Sequence, residues 1–419
     1  MAREKIITAL DIGTTKICCL IGVVDVNNQV KICGIGENKS DGLYHGVIRN
    51  ISTARESIEK AVRAAEKMAN KYADNLIVGI SGEHISSFDS HGVAKGSTSK
   101  RYSPEITNAD VKEMIEDAKS VVPLPPDRKI IYAEPQYFSV DGLTNILDPI
   151  GMTGVRLEGD VHIVTADANS LDNIYKSVQL LGLSIKDIMP QAVASALAIL
   201  DPDEKELGTI LIDIGGGTTD ISIFFKNSIR YTYIIPFGGE TITEDLTVGL
   251  RTPLPEAEKI KIKYGNAYPQ DIDESVIIEI PGIGGRPGST RTNKFIAEII
   301  NPRIVEIANL VFNEIKKSKY FEMMTAGISL CGGTANLKNI DKIYEEVFNL
   351  PVKIGTPIFE GIYTNVELLS DPKYATVMGL LYWGKKVLYR DPLVDDLSKS
   401  SLERLLQKIK RWFATRDFT

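Results

Sequence analysis

Cysteine and histidine are scarce in this chain, four of each among 419 residues, and neither forms a chemical pattern. Cys18, Cys19, Cys33 and Cys331 show no paired metal spacing and no disulfide-framework arrangement. They read as small buried apolar residues in a reducing compartment. His45, His84, His91 and His162 offer no zinc motif and read as structural or surface side chains. No apolar run approaches the roughly 18 residues that a membrane span needs. A basic excess is missing too: the formal net charge is −7. That argues against nucleic acid as a partner, because a general binder carries a basic face. The opening MAREKIITALDIG enters a strand pattern directly, without the apolar core of a secretion signal, so a cytosolic body is expected.

What is present is ordinary folded-protein material, 43% hydrophobic and 25% charged, in a length that predicts two to four structural units. Two segments stand out: ALDIGTTKICCLIG at Ala9–Gly22 and LIDIGGGTTDISIF at Leu211–Phe224. Each is an apolar run, an Asp, a cluster of Gly and Thr, then a second β-rich run. This is the pattern of a hairpin whose tight turn offers backbone N–H groups to an anion. Gly13, Thr14, Thr15 and Lys16 supply donors in the first turn; Gly215, Gly216, Gly217 and Thr218 do so in the second. Asp11 and Asp213 precede these donors, where a carboxylate would repel phosphate. Their placement makes sense if hydrated Mg²⁺ sits between them and the phosphates, since Mg²⁺ keeps several waters and binds few carboxylates. Either turn alone is also an ordinary Asp/Gly hairpin. The repeat predicts two related half-domains gripping one polyphosphate.

Along the chain, strands are expected at Ile6–Leu10, Ile17–Val24, Val30–Gly36 and Leu76–Ser81, with a helix over Thr53–Asn70. That helix places Ala54, Ile58, Ala61, Val62, Ala65 and Met68 on one stripe and Glu66 on the opposite face. From His84 to Asp160 the texture changes to Gly, Ser and Pro clusters. A helix at Asn108–Lys119 and strands at Ile130–Tyr132 and Gln136–Val140 suggest an inserted α+β module, after which His162–Ala166 is expected to resume the main sheet. The second half repeats the plan from Thr209. It adds a helix beginning at Gly238, Gly239 and Glu240, another over Pro253–Gly265, a hairpin around IPGIGGRPGSTR, and a long helix over Pro302–Lys317. A third glycine turn, CGGTANL, follows Gly327–Cys331.

Five of these segments together resemble the actin/Hsp70/sugar-kinase ATPase superfamily: Asp11–Lys16, Gln191–Leu200, Asp213–Asp220, Cys331–Ala335 and Ala375–Trp383. The resemblance spans nearly the whole chain. It implies an α/β, actin-like two-lobed duplicated RNase-H-like fold with mixed five-stranded sheets, small α+β subdomains, and ATP between the lobes. It also implies an adenosine-side loop at Gly332, Gly333, Thr334 and Ala335. Glu258 and Lys261 would then lie near ribose and base, or equally on a solvated helix face. The helix start at Gly238–Glu240 would place its dipole toward phosphate. Gln191, in QAVAS, resembles a residue that orients attacking water, or else caps its helix. Turnover is expected to be slow at most, since positioning dominates phosphoryl transfer.

The last segment, SLERLLQKIKRWFATRDFT, sets Leu402, Leu405, Leu406, Ile409, Trp412 and Phe413 on one helical face and bases on the other. This pattern suits a helix lying in a membrane interface against anionic headgroups; packing on the protein's own body is the alternative. Six large apolar side chains contribute on the order of 10 kcal/mol, and ordering about fifteen residues costs a comparable amount. One tail binds weakly, while linked tails hold through effective concentration.

An actin-like core, a module inserted in the first half and a terminal amphipathic helix together resemble the FtsA family of bacterial cell-division actin homologues. That resemblance implies residues 1–83, 163–199 and 375–392 as a first-lobe core and 84–162 as its insert. It assigns 200–240 and 303–374 to the second-lobe core, 241–302 to a small subdomain, 393–401 to a linker and 402–416 to the membrane helix. It further implies self-assembly into actin-like filaments, other division proteins as partners, and a peripheral place on the cytoplasmic side of the membrane at the septum. The C-terminal peptide of the tubulin-like FtsZ would dock on the small subdomain, near Arg286, Arg291, Lys294 and Arg303, unless these form a solvated face. Rival readings are an MreB-like or PilM-like scaffold, which lacks this tail, and a sugar kinase, whose substrate-pocket carboxylate has no evident counterpart here. An Hsp70-type chaperone would need a large domain after the second connecting helix.

Overall fold

The computed structural model describes residues 5–95, 104–273 and 275–388. The linker 393–401 and the amphipathic stretch 402–416 lie outside the described residues.

Both Asp–glycine segments form antiparallel hairpins of Ile-rich strands buried on two faces. Lys5–Ile12 pairs with Lys16–Val24, and Thr209–Ile214 pairs with Thr219–Phe225. Each hairpin seeds a sheet of the same order. Val30–Lys39 adds antiparallel on one side of the first hairpin, and Leu76–Ile80 then Ile185–Pro190 add in parallel on the other. Ser228–Ile235, Ile328–Cys331 and Val352–Ile354 take the equivalent places around the second. Numbered within its own half, each sheet reads 3-2-1-4-5, which is an internal duplication. The first sheet also carries a sixth strand, Ile362–Tyr363, lent by the second half of the chain to its edge.

Helix Ile51–Ala69 packs on the first sheet, its start held by Asn50, whose side chain accepts from the N–H groups of Ser52 and Thr53. Its stripe differs from the expected one at two places. Met68 is 53% exposed, while Glu66 is buried, accepting from Ala73 N (2.9 Å) and from Arg63 Nη1 (2.8 Å). A carboxylate that ties down the chain leaving its own helix is not visible in apolar periodicity. Helices Gln191–Ile199 and Ala375–Leu388 link the lobes; the first is almost wholly buried and the second is buried except toward its C-terminal end. They cross so closely that a Cβ at Gly379 would lie 1.7 Å from the carbonyl oxygen of Ala194.

The insert is a four-stranded antiparallel sheet in the order Ile85–Lys95, Arg156–Asp167, Arg128–Val140, Leu143–Ile146. Helix Asn108–Val121 covers it through Met114 and Ala118, which share a core with Leu157, Val161 and Ile163. Two expectations are corrected here. Ile130–Tyr132 and Gln136–Val140 belong to one continuous strand with register shifts. His162–Ala166 does not return to the main sheet: it is the end of a central strand of the insert, paired on both sides from Leu157 onward. The polar start of that strand, RLEGD, hides its length from an alternation pattern.

In the second lobe, Ile277–Ile280 and Ser289–Thr292 form a small hairpin. The following helix runs Asn293–Lys317 with Pro302 inside it, rather than starting at Pro302. Proline removes one helical N–H and crowds the carbonyl four residues back. Buried Ile296, Ala297, Ile300, Ile304, Ile307 and Val311 hold the helix through that defect, and Thr292 Oγ1 caps its true start by accepting from Phe295 N (3.2 Å).

Candidate functional site

The two turns close identically. Gly13 N donates to Lys16 O at 3.0 Å, and Gly215 N donates to Thr218 O at 2.9 Å. The next N–H groups, on Thr14, Thr15, Gly216 and Gly217, have no backbone acceptor among the described residues. The turns also touch across the lobes. A Cβ at Gly216 would lie 2.3 Å from Thr15 Cγ2, and one at Gly217 2.5 Å from Thr14 Oγ1, so only glycine permits this approach. They floor a cleft of about 480 Å³.

The structure brings most of the sequence-predicted residues to this cleft. Asp11, Gly13, Thr14, Thr15 and Lys16 line it from one lobe, with Gln191 behind them. Asp213, Gly215, Gly216 and Thr218 line it from the other, with Gly239, Glu258 and Lys261 along one side and Gly332, Gly333 and Thr334 closing an end. Gly217 packs behind the floor, and buried Ala335 sits in the short turn Gly333–Asn336. Gly238 caps the helix Gly239–Leu250. The first N–H groups of that helix are engaged by the loop, Gly239 N to Gly215 O (2.9 Å) and Glu240 N to Gly216 O (2.8 Å). The helix therefore braces the second turn instead of offering those donors to a ligand. Burial raises the carboxyl pKa of Glu240 above its ordinary value.

Three buried carboxylates lie under the turns. Burial pushes Asp11 up to about 6, opposed chiefly by Lys16, whose Nζ is 3.9 Å away. Burial likewise raises Asp213, against hydrogen bonds donated by Ser195 Oγ (2.5 Å) and Thr376 Oγ1 (3.1 Å). Asp220 faces Asp213 across the hairpin, as Cys18 faces Asp11. Burial and then the Asp213 charge drive Asp220 to about 8. Its Oδ2 accepts from Ser81 Oγ (2.8 Å) and Thr218 Oγ1 (3.0 Å), while its Oδ1 is buried with no partner among the described residues. Such a cluster is short of positive charge, which a hydrated cation would supply. Among the described residues no group of three acidic, His or Cys side chains is placed to hold a metal directly.

Gln191 does not cap its helix, which begins after Pro190 without a side-chain cap. Its Nε2 donates to Asp11 Oδ1 (2.8 Å) and Ile12 O (3.3 Å). Lys16 Nζ donates to Lys373 O (2.7 Å) beside the second connecting helix, fastening the first turn to it. Lys261 is paired rather than solvated: its Nζ lies 2.7 Å from Glu258 and donates to Gly239 O and Thr243 Oγ1, both at 2.8 Å. Thr243 Oγ1 in turn donates to Glu258.

Sequence reasoning missed Asp220, Ser81, Ser195, Thr376 and Thr243. Superposing the two hairpins exposes Asp220, because seven residues after Asp11 stands Cys18 and seven after Asp213 stands an acid. Ser195 and Thr376 lie in the QAVAS and Ala375–Trp383 segments already singled out; Ser81 carries no local signal. Of the four basic residues, Arg286 sits exposed in the small hairpin's turn, and Arg291 lies over the Phe295 ring at 5.5 Å. Lys294 and Arg303 follow on helix Asn293–Lys317. Arg303 is engaged with Asp245, at 2.7 and 2.9 Å, and with Glu306 at 2.5 Å. Among the described residues no helix is long and apolar enough to cross a membrane.

Duplicated lobes, crossing connecting helices and a cleft floored by paired turns define an actin-like ATPase fold. The chain is similar to the structure of the PilM-PilN type IV pilus biogenesis complex, with TM-score 0.63 and 15% identity over 90% of this chain and 98% of that one. It is also similar to MreB5 of Spiroplasma citri bound to ADP, with TM-score 0.56 and 17% identity over 92% of this chain and 99% of that one. More particularly, the chain belongs to the FtsA family of bacterial cell-division proteins. It is 38% identical to the cell division protein FtsA of Pseudomonas aeruginosa over 97% of each chain, and 39% identical to that of Neisseria meningitidis over 98% of each. The Escherichia coli K12 protein is 31% identical over 98% of this chain and 97% of its own. The family model for cell division protein FtsA matches residues 210–379, and the SHS2 domain inserted in FtsA matches 82–165.

Proposed function

We propose that this chain is an ATP-binding division protein that polymerises on the cytoplasmic membrane and tethers the FtsZ ring. The observation that carries this reading is the pair of equivalent turns, one from each lobe, presenting unengaged N–H groups to a single cleft. MreB5 of Spiroplasma citri, which shares this fold, is known bound to ADP and to AMPPNP, and this supports a nucleotide as the ligand here. Thr14, Thr15 and Gly216 would bind phosphate oxygens, with Gly217 supporting them from behind the floor, and Glu258, Lys261 and the Gly332–Ala335 turn would face the nucleoside. Asp11 and Asp213 would hold hydrated Mg²⁺ through its waters, and the ion, when bound, neutralises phosphate charge. Gln191, anchored on Asp11, is placed to orient water without abstracting its proton, which fits turnover that is slow at most.

The boundaries drawn from sequence are kept as a proposal, although strand Arg156–Asp167 and helix Asn293–Lys317 run across the borders at 162 and 302. For the FtsZ peptide, the small hairpin offers exposed Ile277 and Ile283 beside Arg286 and Arg291, which suits an acidic, partly apolar segment. Arg303 already balances Asp245, so its share of that site is small. Residues 402–416 would bind anionic membrane, and a filament would bring many such helices together. The test is a thermal melt of the full chain with Mg-ATP, run beside a titration of a fluorescent FtsZ C-terminal peptide. A rise in melting temperature with Mg-ATP and saturable peptide binding weakened by Arg291→Glu are expected. No thermal shift removes the nucleotide site; a flat peptide titration removes the tethering role.

A further inference from the structure

One histidine reaches from the first lobe to the floor of the second. Leu43–Tyr44 and Val47–Ile48 form a small hairpin whose turn residues, His45 and Gly46, both have positive φ, 45° and 76°. Such a turn favours Asn, Asp or Gly at its first central position, so His45 occupies a strained conformation that its contacts must maintain. Its Nδ1 lies 2.7 Å from the carbonyl oxygen of Gly217. A carbonyl only accepts, so Nδ1 carries the proton and donates. Next to it, Gly46 N donates to Thr14 Oγ1 at 2.9 Å. A Cβ at Gly46 would fall 2.4 Å from Ser81 O, where the Ser81 hydroxyl donates to Asp220. One two-residue turn thus contacts both phosphate-type loops and the strand end beneath Asp220. His45 holds the second-lobe loop at Gly217, next to Gly216, which lines the cleft, and Ser81 Oγ, 3.1 Å from Thr218 Oγ1, holds the same loop one residue further on.

We propose that His45 is a positioning residue which locks the second loop against the first lobe and so sets how long nucleotide stays in the cleft. The inference rests on the nucleotide reading above. With the Gly217 carbonyl held, the adjoining Gly216 N–H keeps its aim into the cleft, and the lobes cannot part without breaking this bond. Loss of the donor removes one bond at modest cost and leaves the others standing, since Gly46 N still donates to Thr14 Oγ1 and Ser81 Oγ still meets Thr218 Oγ1.

The experiment compares wild type, His45→Ala, His45→Phe and His45→Asn as full chains. It reads the dissociation rate of Mg-N-methylanthraniloyl-ATP and the melting temperature without nucleotide. Ala and Phe variants are expected to melt cooperatively and only a few degrees below wild type, yet to release nucleotide about tenfold faster, the loss of one net hydrogen bond of about 1.4 kcal/mol. The Asn variant, whose amide nitrogen occupies the place of Nδ1 and whose backbone tolerates positive φ, restores slow release. Dissociation within twofold of wild type in both Ala and Phe variants overturns the role of His45. Faster release that Asn does not restore also overturns it, since bulk rather than the donor would then be responsible. Failure of wild type to bind the nucleotide at all is a different result, and it removes the cleft reading itself.

Discussion

At the scale of single residues, the cleft is defined by acids that are almost entirely buried. Asp220 is pushed up to about 8 and Asp11 to about 6, both mainly by burial. A carboxyl with a raised native pKa holds its proton in the folded state at pH values where the unfolded chain has released it. Its contribution to stability is therefore complete below the unfolded value near 4 and is lost as pH rises through the folded value. The nucleotide-free protein is expected to lose a few kcal/mol from this source between about pH 4 and pH 8. Asp220→Asn keeps an oxygen to accept from Ser81 and Thr218 but cannot ionise, so its urea midpoint should fall less steeply over pH 5 to 8.5. Equal slopes in wild type and variant would show that Asp220 does not titrate differently in the folded state.

At the scale of elements, what was legible in the sequence is what is local. The hairpins at Asp11 and Asp213 are encoded by residues within a few positions of each turn, so composition alone locates them and their duplication. The connecting helices are legible for a related reason, since QAVASALAI and the Ala375–Leu388 segment are dense in small and apolar residues with few polar ones. Features that depend on distant partners were hidden. Helix Asn293–Lys317 keeps Pro302 only because other elements bury its apolar face, and Glu66 is interior because a chain segment folds back onto it. Asp213 is held by Ser195 and Thr376 from both connecting helices, a meeting no sequence window contains. The crossing of these helices yields a sharp expectation. Because a methyl at Gly379 would strike the backbone of Ala194, Gly379→Ala must push the two helices apart. A cost of roughly 3 kcal/mol is expected, together with a smaller Mg-ATP-induced rise in melting temperature, since both lobes hinge on this contact. Full retention of stability in a denaturant melt would mean the crossing relaxes freely.

At the scale of the whole molecule, the insert belongs to the first lobe by chain connection but is fastened to the second by contact. Ser87 Oγ donates to Thr232 O at 2.8 Å, Ser228 Oγ donates to Gln136 O at 2.8 Å, and Arg230 Nη1 donates to Gln136 Oε1 at 3.3 Å. At the centre, buried His162 bridges Asp89 and Thr232, with Nδ1 2.8 Å from the Asp89 carboxylate and Nε2 3.0 Å from Thr232 Oγ1. The carboxylate fixes a proton on Nδ1, and the Thr232 hydroxyl is the partner of Nε2. Strand Ser228–Ile235 leads directly to Gly238 and the helix that braces the second phosphate-type turn. Movement of one lobe against the other must therefore strain the insert's docking, and loosened docking must free the strand that leads to the cleft. Thr232→Val preserves shape and leaves Nε2 buried without its partner, at a cost of about 1–3 kcal/mol. Hydrogen exchange should then accelerate in Ile85–Lys95, Arg156–Asp167 and Ser228–Ile235, while the Lys5–Val24 hairpin keeps its protection. A uniform loss of protection across both lobes would mean that Thr232 supports the fold at large instead of joining the insert to the lobe it faces.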